Sequence, residues 1–376
     1  MHNFSPDELQ RYARHFSVEK IGLTGQEKLK AASVLLIGTG GIGSPAALYL
    51  TAAGVGRIGL IDTDTVDISN LQRQVLFQTD DCGKAKVSQA KAKLAKLNPN
   101  CQIDTYQEQL TADNAIKLIT DYDLVIDGSD NYATRYIVND ASATQKIPLV
   151  SASIYQFSGQ LLVFNFKNSG PCYRCLYATP PPQELIPNCA AAGVLGTTPG
   201  ILGTLAANEA LKFILNLTSA ATNHLTVFDG LDVSTKRYSI VTSKDCPICT
   251  HGHNFTQLPR YQIQDCTMNN NVTEIDVQTL SQWRHANKPI ILLDVRQPWE
   301  REICHIPNDQ AIVLDELANA KIELAPDSHI VAYCRAGCRS KTAAVILAER
   351  GFNNVVSLAG GILAWGKEVD HDMPSY

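Results

Sequence analysis

Val34-Leu35-Leu36-Ile37-Gly38-Thr39-Gly40-Gly41-Ile42-Gly43 is a short apolar run that breaks into glycines, and a second apolar segment, Ala46 to Leu50, follows it. This order predicts a strand, a tight turn and a helix. Gly38, Gly40 and Gly43 have the spacing G-x-G-x-x-G, which lets a backbone approach a phosphate closely and presents it to the free N–H groups of a helix N-terminus. The stretch therefore predicts a nucleotide site in an α/β domain, but not the kind of nucleotide.

An acidic residue follows the next apolar run. That run is Arg57 to Ile61, and Asp62 stands where a carboxylate accepts hydrogen bonds from ribose hydroxyls. Taken alone, the pattern also fits a nicotinamide enzyme, which holds a pyrophosphate and moves a hydride. Such an enzyme has little use for Arg73 and Lys86 beside the phosphates, or for the acidic cluster that contains Asp64.

An enzyme that splits a triphosphate needs both cations and a carboxylate. The cations stabilise the oxygens that gain charge, and the carboxylate holds Mg²⁺. The stretch Asp127-Gly128-Ser129-Asp130 closes the strand-like run Asp123 to Ile126 and supplies that carboxylate. The motifs therefore favour a nucleoside triphosphate over a nicotinamide cofactor.

The composition is typical of a soluble protein with two domains. At 376 residues the chain is long for one domain. A net charge of −5 argues against a nucleic-acid partner, because phosphate contacts need concentrated Lys and Arg. The chain starts without a signal sequence, and polar residues interrupt the apolar segment 197–217, which predicts a buried helix and no membrane span. We therefore expect a cytoplasmic protein, whose eleven cysteines indicate metal binding or thiol chemistry, not disulfides.

Strands and helices alternate along the first 150 residues and predict a doubly wound α/β domain. Ser5-Pro6-Asp7-Glu8 predicts a capped helix start. Arg14 is predicted to lie on that helix, and the simple interpretation is that it belongs to the solvent-exposed face. A further helix is predicted from Gly83 to Leu97, with its lysines mostly facing water. Lys86 differs because it stands in the first turn, where it can lean toward a phosphate.

Two C-x-x-C pairs predict a metal site. They are Cys172 with Cys175 and Cys246 with Cys249, and four thiolates satisfy a closed tetrahedral Zn²⁺ site of structural type. The alternative is a redox dithiol in each pair, but neither pair opens a helix of a thioredoxin-like unit. The metal would join the loop after Phe166 to the end of the first domain.

A lone cysteine, Cys189, lies between the two pairs in a loop of small residues preceded by three prolines. Lone cysteines are more often packing residues than reactive ones. The proline-rich and glycine-rich context nevertheless suggests a mobile segment that could cross an active site. The polar stretch 251–271 then predicts an inter-domain linker.

A second α/β pattern follows the linker. The strand-like run Ile330 to Tyr333 leads into Cys334-Arg335-Ala336-Gly337-Cys338-Arg339 and then into a helical segment. Converging loop N–H groups, a helix N-terminus and the two arginines would stabilise a Cys334 thiolate. This is a setting for a nucleophile, and a loop of six residues suits a sulfur atom better than a phosphate. A buried, inert cysteine is the alternative.

Residues 6 to about 250 resemble the bacterial activating enzymes of ubiquitin-like sulfur carriers, the adenylyltransferases that serve molybdopterin synthase and thiamine biosynthesis. Residues 272 to 370 resemble a rhodanese domain. The resemblance implies a Rossmann-like adenylation domain with structural zinc over 1–250, a linker over 251–271 and a smaller α/β rhodanese domain over 272–376. It also implies ATP, Mg²⁺ and Zn²⁺ as cofactors and a homodimer.

The resemblance assigns roles to individual residues. Arg14 matches an arginine donated across the dimer interface, Cys189 matches a mobile-loop cysteine that some members use covalently, and Cys334 matches the rhodanese sulfur carrier. The residues implied to bind nucleotide and magnesium are Gly38, Gly40, Gly41, Gly43, Asp62, Asp64, Asn70, Arg73, Lys86 and Asp130. The chain departs from the family pattern at His15, where glutamine is common, at Cys304 to Asp309, and at Cys338 inside the loop.

The implied reaction starts from a carrier protein ending in Gly-Gly, whose carboxylate is adenylated and then converted to a thiocarboxylate with sulfur from Cys334. A cysteine desulfurase or another persulfide donor is a candidate source of that sulfur. Two alternatives are a dehydratase that adenylates a modified tRNA base and a non-catalytic scaffold that binds the carrier. Acidic charge, the zinc motif and the rhodanese pattern argue against the first, and the full phosphate-binding set argues against the second.

Overall fold

The computed structural model describes residues 3–166, 170–180, 193–249, 258–260 and 272–374. The chain divides into two compact units, Met1–Ile263 and Gln264–Tyr376. Each unit contains its own sheet. Cys189 and most of the predicted linker lie outside the described residues.

The first unit is built on an eight-stranded sheet with the order β3-β2-β1-β4-β5-β6-β7-β8. The first five strands in this order are parallel, and β6 to β8 extend the sheet in antiparallel fashion. The strands are β1 Ser33–Ile37, β2 Arg57–Ile61, β3 Gln102–Tyr106, β4 Leu124–Asp127, β5 Leu149–Tyr155, β6 Ser158–Phe164, β7 His224–Asp229 and β8 Ser234–Ser239.

Helices cover this sheet, as expected for a doubly wound fold. They are α1 Pro6–Arg11, α2 Ala13–Phe16, α3 Gly22–Ala31, α4 Gly43–Ala53, α5 Lys86–Leu97, α6 Ala115–Thr120, α7 Tyr132–Gln145, α8 Tyr173–Leu176 and α9 Thr197–Ile214. The predicted capping box at Ser5 and Glu8 is present. The helix predicted from Gly83 begins at Lys86, because Gly83 has a φ of +81° and Ala85 makes a β-bridge with Thr65.

The apolar residues of β1 alternate between the two sides of the sheet. Val34 and Leu36 belong to one buried cluster, and Leu35 and Ile37 belong to another. Both sides of a parallel sheet are covered by helices, which is why this strand is continuously hydrophobic in sequence. The glycine turn is therefore held at the end of a strand buried on both sides.

The strand order reverses at β1, which pairs with β2 on one side and with β4 on the other. Ligands in open α/β sheets bind at such a switch point, beyond the carboxyl ends of the strands. The glycine turn lies there, and two glycines make it. Gly38 has a φ of +84°, and a Cβ at Gly43 would lie 2.0 Å from the carbonyl oxygen of Gly38.

The second unit contains a five-stranded parallel sheet with the order β11-β10-β12-β13-β9. Its elements are β9 Glu274–Ile275, α10 Val277–His285, β10 Ile291–Asp294, α11 Pro298–Ile303, β11 Gln310–Ala311, α12 Leu314–Leu317, β12 His329–Tyr333, α13 Cys338–Glu349, β13 Asn354–Leu358 and α14 Gly361–Glu368. Clusters of apolar side chains are again buried within this unit.

The apolar segment predicted as a buried helix forms α9, which packs against α4 and β5. Glu209 is buried in this helix and pairs with Lys212 at 2.7 Å. None of the helices in the described part of the chain combines the length and the apolar content of a membrane span.

We predict that Gly43→Ala destabilises the first unit, because the new methyl group would clash with the Gly38 carbonyl. Overpacking of this kind costs about 1–3 kcal/mol. Gly40→Ala is the matched control, since the nearest atom to its Cβ is 3.6 Å away. Thermal unfolding without nucleotide measures both variants. Equal melting temperatures for the two would contradict the steric account of this turn.

Candidate active site

A cavity of about 850 Å³ opens at the switch point of the first sheet. It collects most of the residues predicted to bind nucleotide, although they come from separate loops. Those that line it are Gly38, Gly40, Gly41, Asp62, Asp64, Asn70, Arg73, Lys86 and Asp130. Gly43 opens the helix behind the turn. The geometry therefore brings cations and carboxylates to the N-terminus of α4, where a phosphate is favoured.

Lys86 is the buried cation of this cavity. Its side chain is 4% exposed, and its Nζ lies 2.7 Å from Oδ2 of Asp64. A buried ammonium group needs such a partner to offset the loss of water. Lys86 therefore points inward, unlike the solvated lysines predicted for the rest of its helix.

Asp62 supports the glycine turn in addition to lining the cavity. Its Oδ2 accepts hydrogen bonds from the backbone N–H and the hydroxyl of Thr39, both at 2.8 Å. Its Oδ1 accepts one from the N–H of Asp64 at 2.9 Å. The carboxylate predicted to contact ribose thus also positions the turn and the neighbouring acid.

The two aspartates of the Asp127–Asp130 motif have different environments. Asp127 is fully buried and accepts hydrogen bonds from the N–H and hydroxyl of Ser129, at 3.0 and 2.6 Å, and from the hydroxyl of Ser151. Asp130 is exposed and lines the cavity. Asp130 is therefore the carboxylate that a magnesium ion in this cavity could reach.

Two residues of the segment 70–74 are held by local hydrogen bonds. Arg73 donates from Nη1 to the carbonyl of Ser69 at 3.0 Å, and Asn70 accepts from Nε2 of Gln74 at 2.7 Å. The segment follows the short 3₁₀ turn Ile68–Asn70, which Asp67 caps. The turn thus presents both Asn70 and Arg73 at the cavity wall.

Sequence reasoning missed Arg135. This residue lines the cavity from the first turns of α7 and is 9% exposed. Burial disfavours its charged form, but the carboxylate of Asp127 together with the hydroxyl groups of Tyr173 and Tyr132 outweighs this effect, so the pKa of Arg135 is raised. Its position shortly after Asp130 in the sequence was the available signal, and only the fold reveals that its side chain is buried at the site.

The four predicted zinc ligands come together. Their sulfur atoms lie within 4.8 Å of one another, with Cys172 to Cys246 at 3.5 Å and Cys175 to Cys249 at 3.4 Å. Tetrahedral zinc with Zn–S bonds of about 2.3 Å places its sulfurs about 3.8 Å apart. The residues fit zinc, and one joint cluster does not fit two separate redox dithiols.

The first cysteine pair also shapes the cavity wall. Its two middle residues are Tyr173, which lines the cavity, and Arg174, which binds Asp140 of α7 through two bonds of 2.8 Å. Burial raises the pKa of Tyr173 to about 12, so this phenol stays neutral. Cys172 does cap a single helical turn, α8, but this turn carries Cys175 of the same four-cysteine cluster.

Cys334 lies where the sulfur-transfer pattern places it, between β12 and α13. It is 1% exposed, and its Sγ accepts a hydrogen bond from the N–H of Gly337 at 3.2 Å. Gly337 has a φ of +95°, which turns the loop back toward the cysteine. The loop therefore directs at least one backbone donor at the sulfur.

Arg339, which is predicted to stabilise the Cys334 thiolate, is paired with a carboxylate in the structure. The Arg339 guanidinium forms two bonds of 2.6 and 2.7 Å with the carboxylate of Glu300, which is buried in α11. A charge neutralised in this way contributes less to a neighbouring anion. Arg339 fastens the start of α13 to α11, while Arg335 is half-buried.

The Asp294 and Arg296 pair is also structural. Both side chains are fully buried and joined at 2.7 Å. Arg301 adds a bond of 2.9 Å to Asp294, and Tyr333 donates to the same carboxylate at 3.0 Å. Burial is the main reason that the pKa of Tyr333 is raised. This network ties the end of β10 to β12, directly before the cysteine loop.

Two predicted residues are not brought to the cavity. Arg14 is exposed on α2 and is absent from the described residues that line the cavity. Cys189 lies outside the described residues.

The fold and site define an adenylating enzyme of the doubly wound α/β class that is joined to a sulfur-transfer domain. The chain belongs to the ThiF family, whose model matches residues 12–248, and it carries a Rhodanese-like domain over residues 276–368. The predicted family and fold class are thus confirmed.

Relatives match along nearly the whole chain. It is 38% identical to "Adenylyltransferase and sulfurtransferase MOCS3" of Aedes aegypti, covering 98% of this chain and 89% of that protein. It is 37% identical to "Probable adenylyltransferase/sulfurtransferase MoeZ" of Mycobacterium tuberculosis H37Rv, and this match covers 99% of this chain and 96% of that protein. The chain is an adenylyltransferase and sulfurtransferase, and neither the scaffold nor the tRNA-modifying alternative is favoured.

Solved structures support the fold of the first unit. E. coli MccB with MccA-N7isoASN matches with a TM-score of 0.57 and 23% identity, covering 66% of this chain and 75% of that one. At this identity the likeness concerns the fold alone.

We predict one tightly bound zinc ion per chain. Cys172→Ser removes one of four ligands and should lower the melting temperature, by about 2–4 °C for each kcal/mol lost. Cys82→Ser is the control, because Cys82 is exposed and outside the cluster. Elemental analysis and thermal unfolding are the measurements. A metal-free wild-type protein with normal stability would refute the zinc assignment.

Proposed function

We propose that this enzyme adenylates the C-terminal Gly-Gly carboxylate of a ubiquitin-like sulfur carrier and converts it to a thiocarboxylate. The observation that carries the proposal is that one chain contains two sites. The first is a cavity where Arg73, Lys86 and Asp130 lie with the glycine turn. The second is the buried Cys334, whose sulfur accepts a hydrogen bond from a backbone N–H. The first suits acyl activation, and the second suits sulfur transfer.

The first step forms a bond between a carboxylate oxygen of the carrier and the α-phosphorus of ATP, and pyrophosphate leaves. No general base is required, because a terminal carboxyl group has a pKa of about 3.5 and is ionised at neutral pH. The N–H groups of the glycine turn hold the phosphates, and Lys86 and Arg73 stabilise the developing charge. Magnesium held by Asp130 would supply further positive charge to the leaving pyrophosphate.

Arg14 can join these charged residues at the cavity only when two chains form a dimer. It is exposed on α2 and away from the cavity of its own chain. A homodimer in which each protomer donates Arg14 to its partner accounts for that position. We therefore propose a homodimer, with zinc in the cysteine cluster as a structural metal that holds Tyr173 at the cavity wall.

The second step uses sulfur on Cys334. A persulfide on this residue attacks the carbonyl carbon of the acyl adenylate, AMP leaves, and an acyl disulfide joins the carrier to Cys334. A second thiol then reduces that disulfide, which releases the thiocarboxylate and leaves a disulfide between the two cysteines. We assign the second thiol to Cys189, and an external dithiol restores both residues for the next turnover.

The sulfur itself comes from a cysteine desulfurase or another persulfide donor. The domain boundaries that go with this proposal are 1–250 for adenylation, 251–271 for the linker and 272–376 for the rhodanese domain. We propose a cytoplasmic location, where the cluster thiols and Cys334 stay reduced. Molybdopterin and thiamine synthesis are the candidate pathways.

We predict that Asp130→Ala lowers carrier-dependent exchange of labelled pyrophosphate into ATP by about 10²–10³-fold, because the carboxylate that holds magnesium is lost. The control is Asp113→Ala, an exposed aspartate that pairs with Arg260 and does not line the cavity. Exchange at the wild-type rate in Asp130→Ala would remove this residue from the reaction. ATP turnover without any carrier would point to a different acceptor.

We predict that Cys334→Ala abolishes thiocarboxylate formation from thiosulfate but preserves pyrophosphate exchange, since only the sulfur step is lost. Cys189→Ala should accumulate the acyl disulfide, which intact-mass analysis detects. Cys82→Ala is the control for loss of an exposed thiol. Cys338 is disulfide-bonded in the structure, contrary to the expectation that the cysteines form no disulfides. Once that disulfide is reduced, accumulation in Cys338→Ala instead of Cys189→Ala would transfer the reducing role to Cys338.

A further inference from the structure

The turn before α14 contacts the backbone of the sulfur loop, Cys334 to Gly337. A Cβ at Gly361 would lie 2.4 Å from the carbonyl oxygen of Cys334 and 2.6 Å from that of Arg335. Gly361 is buried and has a φ of +57°. We propose that Gly361 is a positioning residue for sulfur transfer, because its close approach fixes the peptide groups that hold a persulfide on Cys334. This inference rests on the proposed role of Cys334 as sulfur carrier.

Two hydrogen bonds accompany the close contact. Ile362 donates its backbone N–H to the carbonyl of Cys334 at 2.9 Å, and Leu363 donates its N–H to the carbonyl of Arg335 at 3.1 Å. The first N–H groups of a helix have no partner inside the helix, so these two donors are available to the loop. A side chain at position 361 would push the two carbonyls away from them. Glycine therefore lets α14 fix two successive peptide groups of the sulfur loop.

Fixing a carbonyl also fixes the N–H group of the next residue. A peptide group is planar and trans, so its C=O and N–H bonds point in opposite directions. Because the carbonyls of Cys334 and Arg335 are turned toward α14, the N–H groups of Arg335 and Ala336 point away from that helix. The N–H of Gly337 donates to Cys334 Sγ at 3.2 Å. The loop thus presents three successive N–H donors to a sulfur anion attached to Cys334.

A persulfide on Cys334 carries a charge that needs these donors. The Cys334 thiolate attacks the outer sulfur of thiosulfate, an S–S bond forms, the bond to the sulfite group breaks, and sulfite leaves with the electron pair. The outer sulfur of the persulfide keeps the negative charge. Cys334 is 1% exposed, and burial disfavours a charged group. Arg339 is bound to Glu300, so backbone N–H groups supply part of the stabilisation.

The first test uses the wild-type full chain, reduced beforehand and isotope-labelled for NMR spectroscopy. Incubation with thiosulfate loads Cys334 with sulfur, and intact-mass analysis measures the loading. The N–H proton resonances of Arg335 and Ala336 should move to lower field in the loaded protein, because hydrogen bonds to an anion are short and strong. Unchanged resonances of both residues in the loaded protein would overturn the proposal.

The second test compares two glycine variants. Gly361→Ala places a methyl group against the two carbonyls and should lower the equilibrium constant for sulfur uptake from thiosulfate about tenfold, through a weakened hydrogen bond to the anion. Intact-mass analysis at fixed thiosulfate and sulfite concentrations measures this constant.

Gly351→Ala is the matched control, because Gly351 has a φ of +92° but no atom lies within 4 Å of its Cβ. Both alanine variants strain the backbone, and only Gly361→Ala touches the sulfur loop. Gly351→Ala should lower the melting temperature and leave the equilibrium constant unchanged. Gly361→Asn separates strain from contact, since asparagine tolerates a positive φ better than alanine but still carries a Cβ. It should also lower the equilibrium constant.

A lowered melting temperature with a wild-type equilibrium constant in Gly361→Ala would overturn the proposal. If neither variant of Gly361 folds, the NMR measurement on the wild-type protein decides. A wild-type protein that takes up no sulfur from thiosulfate would overturn the proposed function, and this inference with it.

Discussion

The approach of Gly43 to the carbonyl of Gly38 is the contact on which the adenylation site depends. A Cβ at position 43 would lie 2.0 Å from that oxygen, so only glycine lets α4 begin directly beyond β1. The helix N-terminus is thereby placed at the switch point between β2 and β4. Asp62 then ties the turn to the end of β2 through Thr39. The cavity opens beside this close turn, and separate loops bring its charged residues there.

Buried pairs of carboxylate and guanidinium groups fasten the segments that carry the chemistry. Asp140 holds Arg174, between the metal-site cysteines, and Glu300 holds Arg339, beside the sulfur loop. Two parallel hydrogen bonds define orientation as well as distance. Such pairs add little net stability because desolvation opposes attraction, but breaking one leaves a buried charge. Their effect here is to fix the orientation of α8 on α7 and of α13 on α11.

Motif residues close to the turn or at strand ends could be placed from sequence alone, because parallel strands bring their carboxyl ends to one edge. This applies to Gly38, Asp62, Lys86 and Asp130, all of which reach the predicted cavity or its turn. Spacing could not separate the roles of Asp127 and Asp130. Asp127 is turned inward by Ser151, which lies on the neighbouring strand β5.

Residues whose role depends on a distant partner were missed or misread. Arg135 was not among the predicted site residues, yet the fold buries it at the cavity beside Asp127. Arg339 was expected to stabilise the Cys334 thiolate, and the fold pairs it with Glu300, 39 positions earlier in the chain, which the sequence did not predict. No local sequence pattern predicts such an ion pair, since each partner alone resembles an ordinary charged residue on the surface.

The sequence by itself determined the doubly wound fold, the glycine turn, the four-cysteine cluster and the sulfur loop, because each depends on periodicity or on fixed spacing within a short segment. Only the tertiary structure decided which charged side chains face the cavity and which are paired with a buried partner. The physical reason is that a side chain's electrostatic effect depends on burial and on its nearest partner, and folding draws that partner from anywhere in the chain.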